Sequence, residues 1–230
     1  MKKLLRIIFI IFLLYASSPI AYAEVSTYHV NKNYDLVPND IKANKKVILI
    51  TIDDGPSKYG RGMVTTLLKH KTPAIFFING MHNKNNLGNI ELESKAGFTI
   101  GNHTWGHLNL TKISKDLAEK EINNDTKLIA ELTGSAPRFF RSPFGMGNTY
   151  IKGLVAKDNM IYMNWSGAAK DWEKNTKEEK VFMKNVLSTL HPGEILLIHE
   201  HEWTAKYLDN MLSAIESKGY AFVDPKNITQ

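Results

Sequence analysis

Val47-Ile48-Leu49-Ile50-Thr51-Ile52-Asp53-Asp54-Gly55-Pro56 runs from a β-branched apolar stretch straight into two adjacent carboxylates and a Gly-Pro break. A short apolar run without polar alternation reads as a strand buried on both faces, the kind that parallel sheets contain. In a regular strand Asp53 and Asp54 would point to opposite faces. The Gly-Pro break falls where both can be turned toward the C-terminal end of the strand. Taken alone, the pair fits a solvated Asp-Gly turn equally well.

Working outward, similar runs occupy residues 74–78, 98–100, 139–140, 161–165, 194–198 and 220–223. Between them, helical patterns cover 115–132, stopped by Gly134, then 177–190, and 205–218, followed by Gly219. This alternation predicts a parallel α/β fold. The strand ends choose among such folds. Asp53-Asp54 follow the first strand, His103 the third, Arg141 the fourth, Asp171 the fifth and His199 the sixth. An open doubly wound sheet gathers its site at one switch point, whereas a closed barrel brings every strand end to one mouth. The expectation is a single α/β domain folded as a deformed (β/α) barrel of about seven parallel strands, imperfectly closed.

With 230 residues, 43% hydrophobic and 23% charged, the chain can bury one full core and is not globally disordered. The net charge of +6 overstates its basicity, because Lys2, Lys3 and Arg6 precede an apolar run; without them 26 basic residues face 23 acidic ones. No dense basic stripe points to nucleic acid. The absence of cysteine excludes a disulfide scaffold, a thiolate metal site, a cysteine nucleophile and a lipidated cysteine. Residues 1–23 have the basic start, apolar centre and Ala21-Tyr22-Ala23 ending of a cleaved signal peptide. The apolar centre is shorter than the roughly 20 residues a spanning helix needs. The expected mature chain is a secreted or periplasmic monomer without a stable membrane span. A polar leader covers 24–45, and the catalytic domain covers 46–230.

His103-Thr104-Trp105-Gly106-His107 sets two imidazoles four residues apart, a spacing that lets both reach one metal from a single helical turn. A carboxylate from Asp53-Asp54 would complete a ligand set with an open position, as hydrolytic zinc sites require. Arg141-Ser142-Pro143-Phe144-Gly145 puts a guanidinium at a strand end before a stiff turn, and Leu197-Ile198-His199 ends the most apolar strand in a histidine. Trp105 and Trp172 stand beside these polar groups, where they can stack on a sugar or simply fill core. His29, His70, His82, His191 and His201 have no matching partner and read as surface or loop residues.

In this order, TIDDGP (51–56), HTWGH (103–107), RSPFG (141–145), DW (171–172) and LIH (197–199) resemble the five motifs of the polysaccharide deacetylases of carbohydrate esterase family 4. PAIFFING (73–80) resembles that family's second strand, and the likeness spans roughly 46–223. It implies metal-dependent deacetylation of a carbohydrate, with metal-bound water as the nucleophile. By the same resemblance Asp54, His103 and His107 hold the metal, Asp53 is the general base and His199 the general acid. Arg141 partners the base and Asp171 partners His199. Pro143, Phe144, Gly145, Trp172 and Leu197 bind substrate, with backbone N–H groups around Phe144 at the oxyanion. Zinc suits the nitrogen and oxygen donors, with cobalt or nickel as substitutes.

The family's fourth motif usually reads D-x-x-D-W, and here Ala168 stands at its first position. The expected substrate is an N-acetylglucosamine polymer, peptidoglycan or chitin-like, because an amine leaving group needs the acid that His199 supplies. The alternatives are an O-acetyl xylan esterase of the same family and a sugar-binding pseudoenzyme. Residues 80–90 and 171–176, where substrates would be discriminated, carry no readable specificity.

Overall fold

The computed structural model describes residues 26–81 and 84–229; the segment expected to be a signal peptide, and His82, lie outside them. Two short strands come first, β1 (Tyr28–Val30) and β2 (Leu36–Pro38). Then β3 (Val47–Gly55) leads to α1 (Gly60–Lys69), β4 (Ala74–Ile78) to α2 (Leu87–Lys95), β5 (Thr99–Asn102) to α3 (Lys115–Thr133), and β6 (Phe139–Phe140) to α4 (Thr149–Lys157). The chain continues through β7 (Ile161–Tyr162), β8 (Gly167–Ala168), α5 (Glu179–Thr189), β9 (Glu194–His199), α6 (Glu202–Ser217), β10 (Ala221–Phe222) and β11 (Ile228–Thr229).

The main sheet runs β7-β6-β5-β4-β3-β9-β8 with every pairing parallel, which is the deformed seven-stranded barrel that the alternation predicts. Among the described residues no ladder joins β7 to β8, so the barrel is open there. Its seventh strand is not the one periodicity suggests. Gly167 and Ala168, two small residues without an apolar signature, pair with Leu196 and Leu197. The 220–223 run instead gives β10, paired with Val47 and Ile48 at the start of β3.

Period-two alternation sorts the side chains of the central strands. Ile48, Ile50 and Ile52 of β3 pack with Leu196 and Ile198 of β9 and with buried residues of α1, α5 and α6. Val47 and Leu49 share the other face with Ile195, Ile75 and Phe77, and that cluster fills the barrel. Each such fully buried side chain contributes about 1.5–3 kcal/mol. Tyr28, Leu36 and Ile228 belong to the same inner cluster, so the small sheet β11-β1-β2 closes over the N-terminal ends of the barrel strands. The Leu36 N–H donates to the Gly193 carbonyl at 2.7 Å, and Asp35 meets His191 at 2.8 Å. Thus the polar 24–45 segment supplies two strands that its composition does not advertise.

Candidate active site

Continuing the inner face of β3 past Leu49 brings Thr51 and then Asp53 toward the mouth. Asp53 is 2% exposed. Arg141, just after β6, donates from Nη1 to Asp53 Oδ1 at 2.7 Å and to Thr51 Oγ1 at 2.8 Å, and from Nη2 to the Asn164 carbonyl at 3.0 Å. Its guanidinium lies 4.4 Å over the Phe77 ring. Burial raises the Asp53 pKa, against the opposing pull of Arg141. The β3–β4 register shifts between Ile52 and Gly55, and Asp54 adopts φ +64°, a left-handed conformation that aspartate tolerates better than most residues. That twist brings the second carboxylate to the same mouth as the first.

His103 to His107 do not form the helical turn their spacing suggests. Thr104 (φ +71°) and His107 (φ +54°) are left-handed, and the segment is a loop tied to α3 by hydrogen bonds. The Trp105 N–H donates to the Glu121 carbonyl at 2.9 Å, the Gly106 N–H to Glu121 Oε2 at 2.7 Å, and the His103 N–H to buried Asp125 Oδ2 at 3.2 Å. These bonds replace those a helix would have made internally.

The His103 Nδ1 meets the Arg141 carbonyl at 2.7 Å. A carbonyl only accepts, so Nδ1 holds the proton and Nε2 keeps its lone pair. Burial drives the His103 pKa down to about 3, which keeps the ring neutral, the form a metal ligand needs. Asp54 Oδ1 lies 3.3 Å from His107 Nε2 and 3.6 Å from His103 Nε2, and one donor atom from each residue falls within 4.8 Å of the others. That oxygen is buried and has no hydrogen-bond partner among the described residues. Ligands at about 2.0–2.1 Å around a tetrahedral zinc ion stand about 3.3 Å apart. The orphaned oxygen and the neutral imidazole therefore fit a divalent cation.

His199, at the end of β9, directs Nδ1 to Asp171 Oδ1 at 2.7 Å, while Asp171 Oδ2 accepts from the His199 N–H and from Thr204 Oγ1, each at 2.7 Å. Burial alone would depress the His199 pKa. The Asp171 hydrogen bond and charge, reinforced by Asp53 and Asp54, raise it to about 9. The other ring nitrogen lies 3.9 Å from Asp54 Oδ2. Position 168 is a buried alanine paired with Leu197. Asp171 and Arg141 are nevertheless both engaged without a carboxylate there; Arg141 Nε is the guanidinium nitrogen left without a hydrogen-bond partner among the described residues.

Phe144, Trp165, Trp172 and Leu197 wall a cleft of about 380 Å³ over these groups. Phe144, 60% exposed, sets its ring 4.7 Å from His107. Pro143 is buried, and Gly145 packs on Trp165, so these two shape the turn and do not line the cleft. Gly145 has φ +66°, and a Cβ there would sit 2.9 Å from the Trp165 ring, so only glycine fits. Trp105 does not line the cleft. Thr51, Glu121, Asp125, Trp165 and Thr204 also support the site, although residue type and spacing do not single them out. Only Thr51 had a signal, its period-two relation to Asp53.

Behind Gly55 and Gly60, Glu93 and Glu200 are both buried. Glu200 Oε2 accepts from the Ser57 N–H at 2.7 Å, but among the described residues neither Glu93 oxygen has a hydrogen-bond partner. Burial pushes the Glu200 pKa up to about 7, and burial with the Glu200 charge pushes Glu93 well above its usual range. The folded protein therefore holds protons that the unfolded chain releases near pH 4.5. The associated stability is complete below that pH and is lost as pH rises through about 7. Glu93→Gln should raise the melting temperature at pH 8 by several degrees, about 1–2 kcal/mol, and change it little at pH 5. Equal destabilisation at both pH values would show that the carboxyl group carries an unseen bond.

The profile of the family described as polysaccharide deacetylase matches residues 40–163. A peptidoglycan-N-acetylglucosamine deacetylase of Listeria monocytogenes, PgdA, is 32% identical over 203 residues, covering 84% of this chain and 42% of its own. The chain thus spans about two fifths of that relative's length. Among solved structures, the peptidoglycan deacetylase PdaC of Bacillus subtilis superposes with a TM-score of 0.71 at 29% identity, covering 80% of this chain and 89% of its own. A CE4 family pseudoenzyme from Bacillus anthracis gives a TM-score of 0.74 at 27% identity, covering 80% of this chain and 65% of its own. The barrel, the five strand-end motifs and a profile match over more than half of the 230 residues agree, and the chain belongs to the polysaccharide deacetylase family.

Proposed function

We propose that this protein is a metal-dependent hydrolase that removes N-acetyl groups from an N-acetylglucosamine-containing polysaccharide, peptidoglycan first, outside the cytoplasm. The observation that carries the reading is the convergence of Asp54, His103 and His107 on one point, flanked by the Asp53–Arg141 pair and the His199–Asp171 pair. Asp54, His103 and His107 would hold a divalent cation, zinc by their donor set, and such an ion would supply a Lewis acid for the acetyl carbonyl and for water. Asp53 is the base, its carboxylate held by Arg141 and its affinity for a proton raised by burial. His199, protonated through its bond to Asp171, gives its proton to the departing amine. Phe144, Trp172 and Leu197 enclose the acetyl group.

The signal-like anatomy of residues 1–23 supports an extracytoplasmic site of action, where peptidoglycan is in reach. Likeness to a pseudoenzyme makes a purely sugar-binding protein the rival reading. The complete base, acid and ligand sets favour turnover. Acetate release should be seen on N-acetylglucosamine oligomers and on peptidoglycan, vanish after chelation and return with added zinc. Activity confined to acetylated xylan would overturn the amide assignment, and full activity in metal-free protein would overturn the mechanism.

A further inference from the structure

The residue after His199 turns away from the mouth. Glu200 is 4% exposed and its side chain runs behind the loop that joins β3 to α1. Its Oε2 accepts from the Ser57 N–H at 2.7 Å, its carbonyl accepts from Ser57 Oγ at 3.3 Å, and its N–H donates to the Asp53 carbonyl at 3.2 Å. A Cβ on Gly55 would overlap Glu200 Oε1, and one on Gly60 would lie 3.0 Å from Oε2, so the loop rests directly on this carboxyl group. From the other side the Ser57 carbonyl accepts from Asn89 Nδ2 at 2.7 Å, and the Gly55 carbonyl accepts from the Asn79 N–H at 2.8 Å. Pro56 has no N–H. The Ser57 N–H is therefore the first donor that the backbone offers after Gly55, and Glu200 takes it.

Asp54, three residues before Ser57, holds φ +64°, a conformation that persists in a residue with a Cβ only where the surrounding structure fixes it. Its Oδ1 has no hydrogen-bond partner among the described residues, so the direction of this carboxylate is set by the backbone that carries it. We propose that Glu200 is a positioning residue for the metal-ligand set: its carboxyl oxygen holds the loop from behind and so keeps Asp54 turned toward His103 and His107. The position requires a hydrogen-bond acceptor; it requires neither a charge nor contact with substrate. Two neighbouring residues thus serve the site from opposite sides, His199 from within the mouth and Glu200 from behind the loop. The proposal rests on the reading of Asp54, His103 and His107 as zinc ligands, but zinc binding and loop motion can both be measured without turnover.

Glu200→Gln keeps an acceptor for the Ser57 N–H, whereas Glu200→Met keeps an unbranched side chain that fills the layer and offers only a weak one. The full chain of each variant is stripped by chelation, and its zinc affinity is measured by competition with a chromophoric chelator well below the melting temperatures. Glu200→Met should bind zinc about 10–100-fold more weakly than the parent, the usual cost of losing a partner that orients a ligand, while Glu200→Gln stays within about threefold of it. Glu93→Gln alters the same layer without touching Ser57 and should also stay within about threefold. A merely structural role would instead make affinity follow melting temperature across the three variants. In the zinc-free proteins, amide exchange over residues 54–59 should be about tenfold faster in Glu200→Met and close to parental in Glu200→Gln. Parental affinity and exchange in Glu200→Met overturn the proposal, as does an equal loss in Glu200→Gln. A parent protein that binds no zinc, or binds it as tightly after Asp54→Ala, overturns the ligand reading instead, and the exchange comparison still decides what Glu200 does to the loop.

Discussion

Asp53→Asn should lower acetate release about 10³-fold while leaving the metal content unchanged. The amide keeps the size of the carboxylate but cannot take a proton from the attacking water, and general base catalysis is worth about 10²–10⁴ in rate. Asp54, His103 and His107 are untouched, so zinc measured on the purified variant should match the parent. A cost in stability accompanies the cost in rate. Arg141 is fully buried and relies on Asp53 as its counter-charge. Removing one partner of a buried ion pair costs about 3–5 kcal/mol. For a chain of this length that corresponds to a melting temperature lower by about 6–20 °C. Rates should therefore be compared well below both melting points. A variant that kept more than a tenth of parental activity while folded would remove Asp53 from the role of base.

His199→Ala should separate amide from ester chemistry. On an N-acetylated glycan the leaving amine must be protonated, and the variant should lose about 10²–10⁴-fold. On an aryl acetate the leaving phenolate departs without a proton, and the loss should stay below about tenfold. Equal losses on both substrates would mean that the imidazole organises the site without acting as its acid. Asp171→Asn gives the matching pH result. Asp171 is what overcomes burial to raise His199 to about 9. Activity on the amide falls as pH rises through the pKa of this acid, so removing the carboxylate should shift the alkaline limb of the profile downward by about one unit or more. A limb that does not move would assign it to another group.

Much of this was legible because the information is local. Apolar runs ending in Asp53, His103, Arg141 and His199 place ionisable groups at strand ends by the period of a β-strand alone, and that placement distinguishes a barrel mouth from a single crevice. The stop of α3 at Gly134 (φ +80°) was likewise written in one residue. Strand β8 was not legible, because Gly167 and Ala168 owe their conformation to β9 beside them and to no preference of their own. Nor was the loop that carries His103 and His107. Its left-handed residues are held by Glu121 and Asp125, about twenty residues further along, and the i, i+4 spacing alone suggested a helix.

The sequence by itself determined the alternation of strands and helices, the face on which Thr51 and Asp53 lie, and the kinds of side chain available at each strand end. Those properties depend on residue type and on a two-residue period, which any local stretch of chain expresses. Only the tertiary structure decided how those side chains meet. The turn of Asp54 toward His103 and His107 and the union of Arg141 with Asp53 across 88 residues depend on the curl of the sheet. Hydrogen bonds and ion pairs act over a few ångströms, and which groups come that close is set by packing among distant segments.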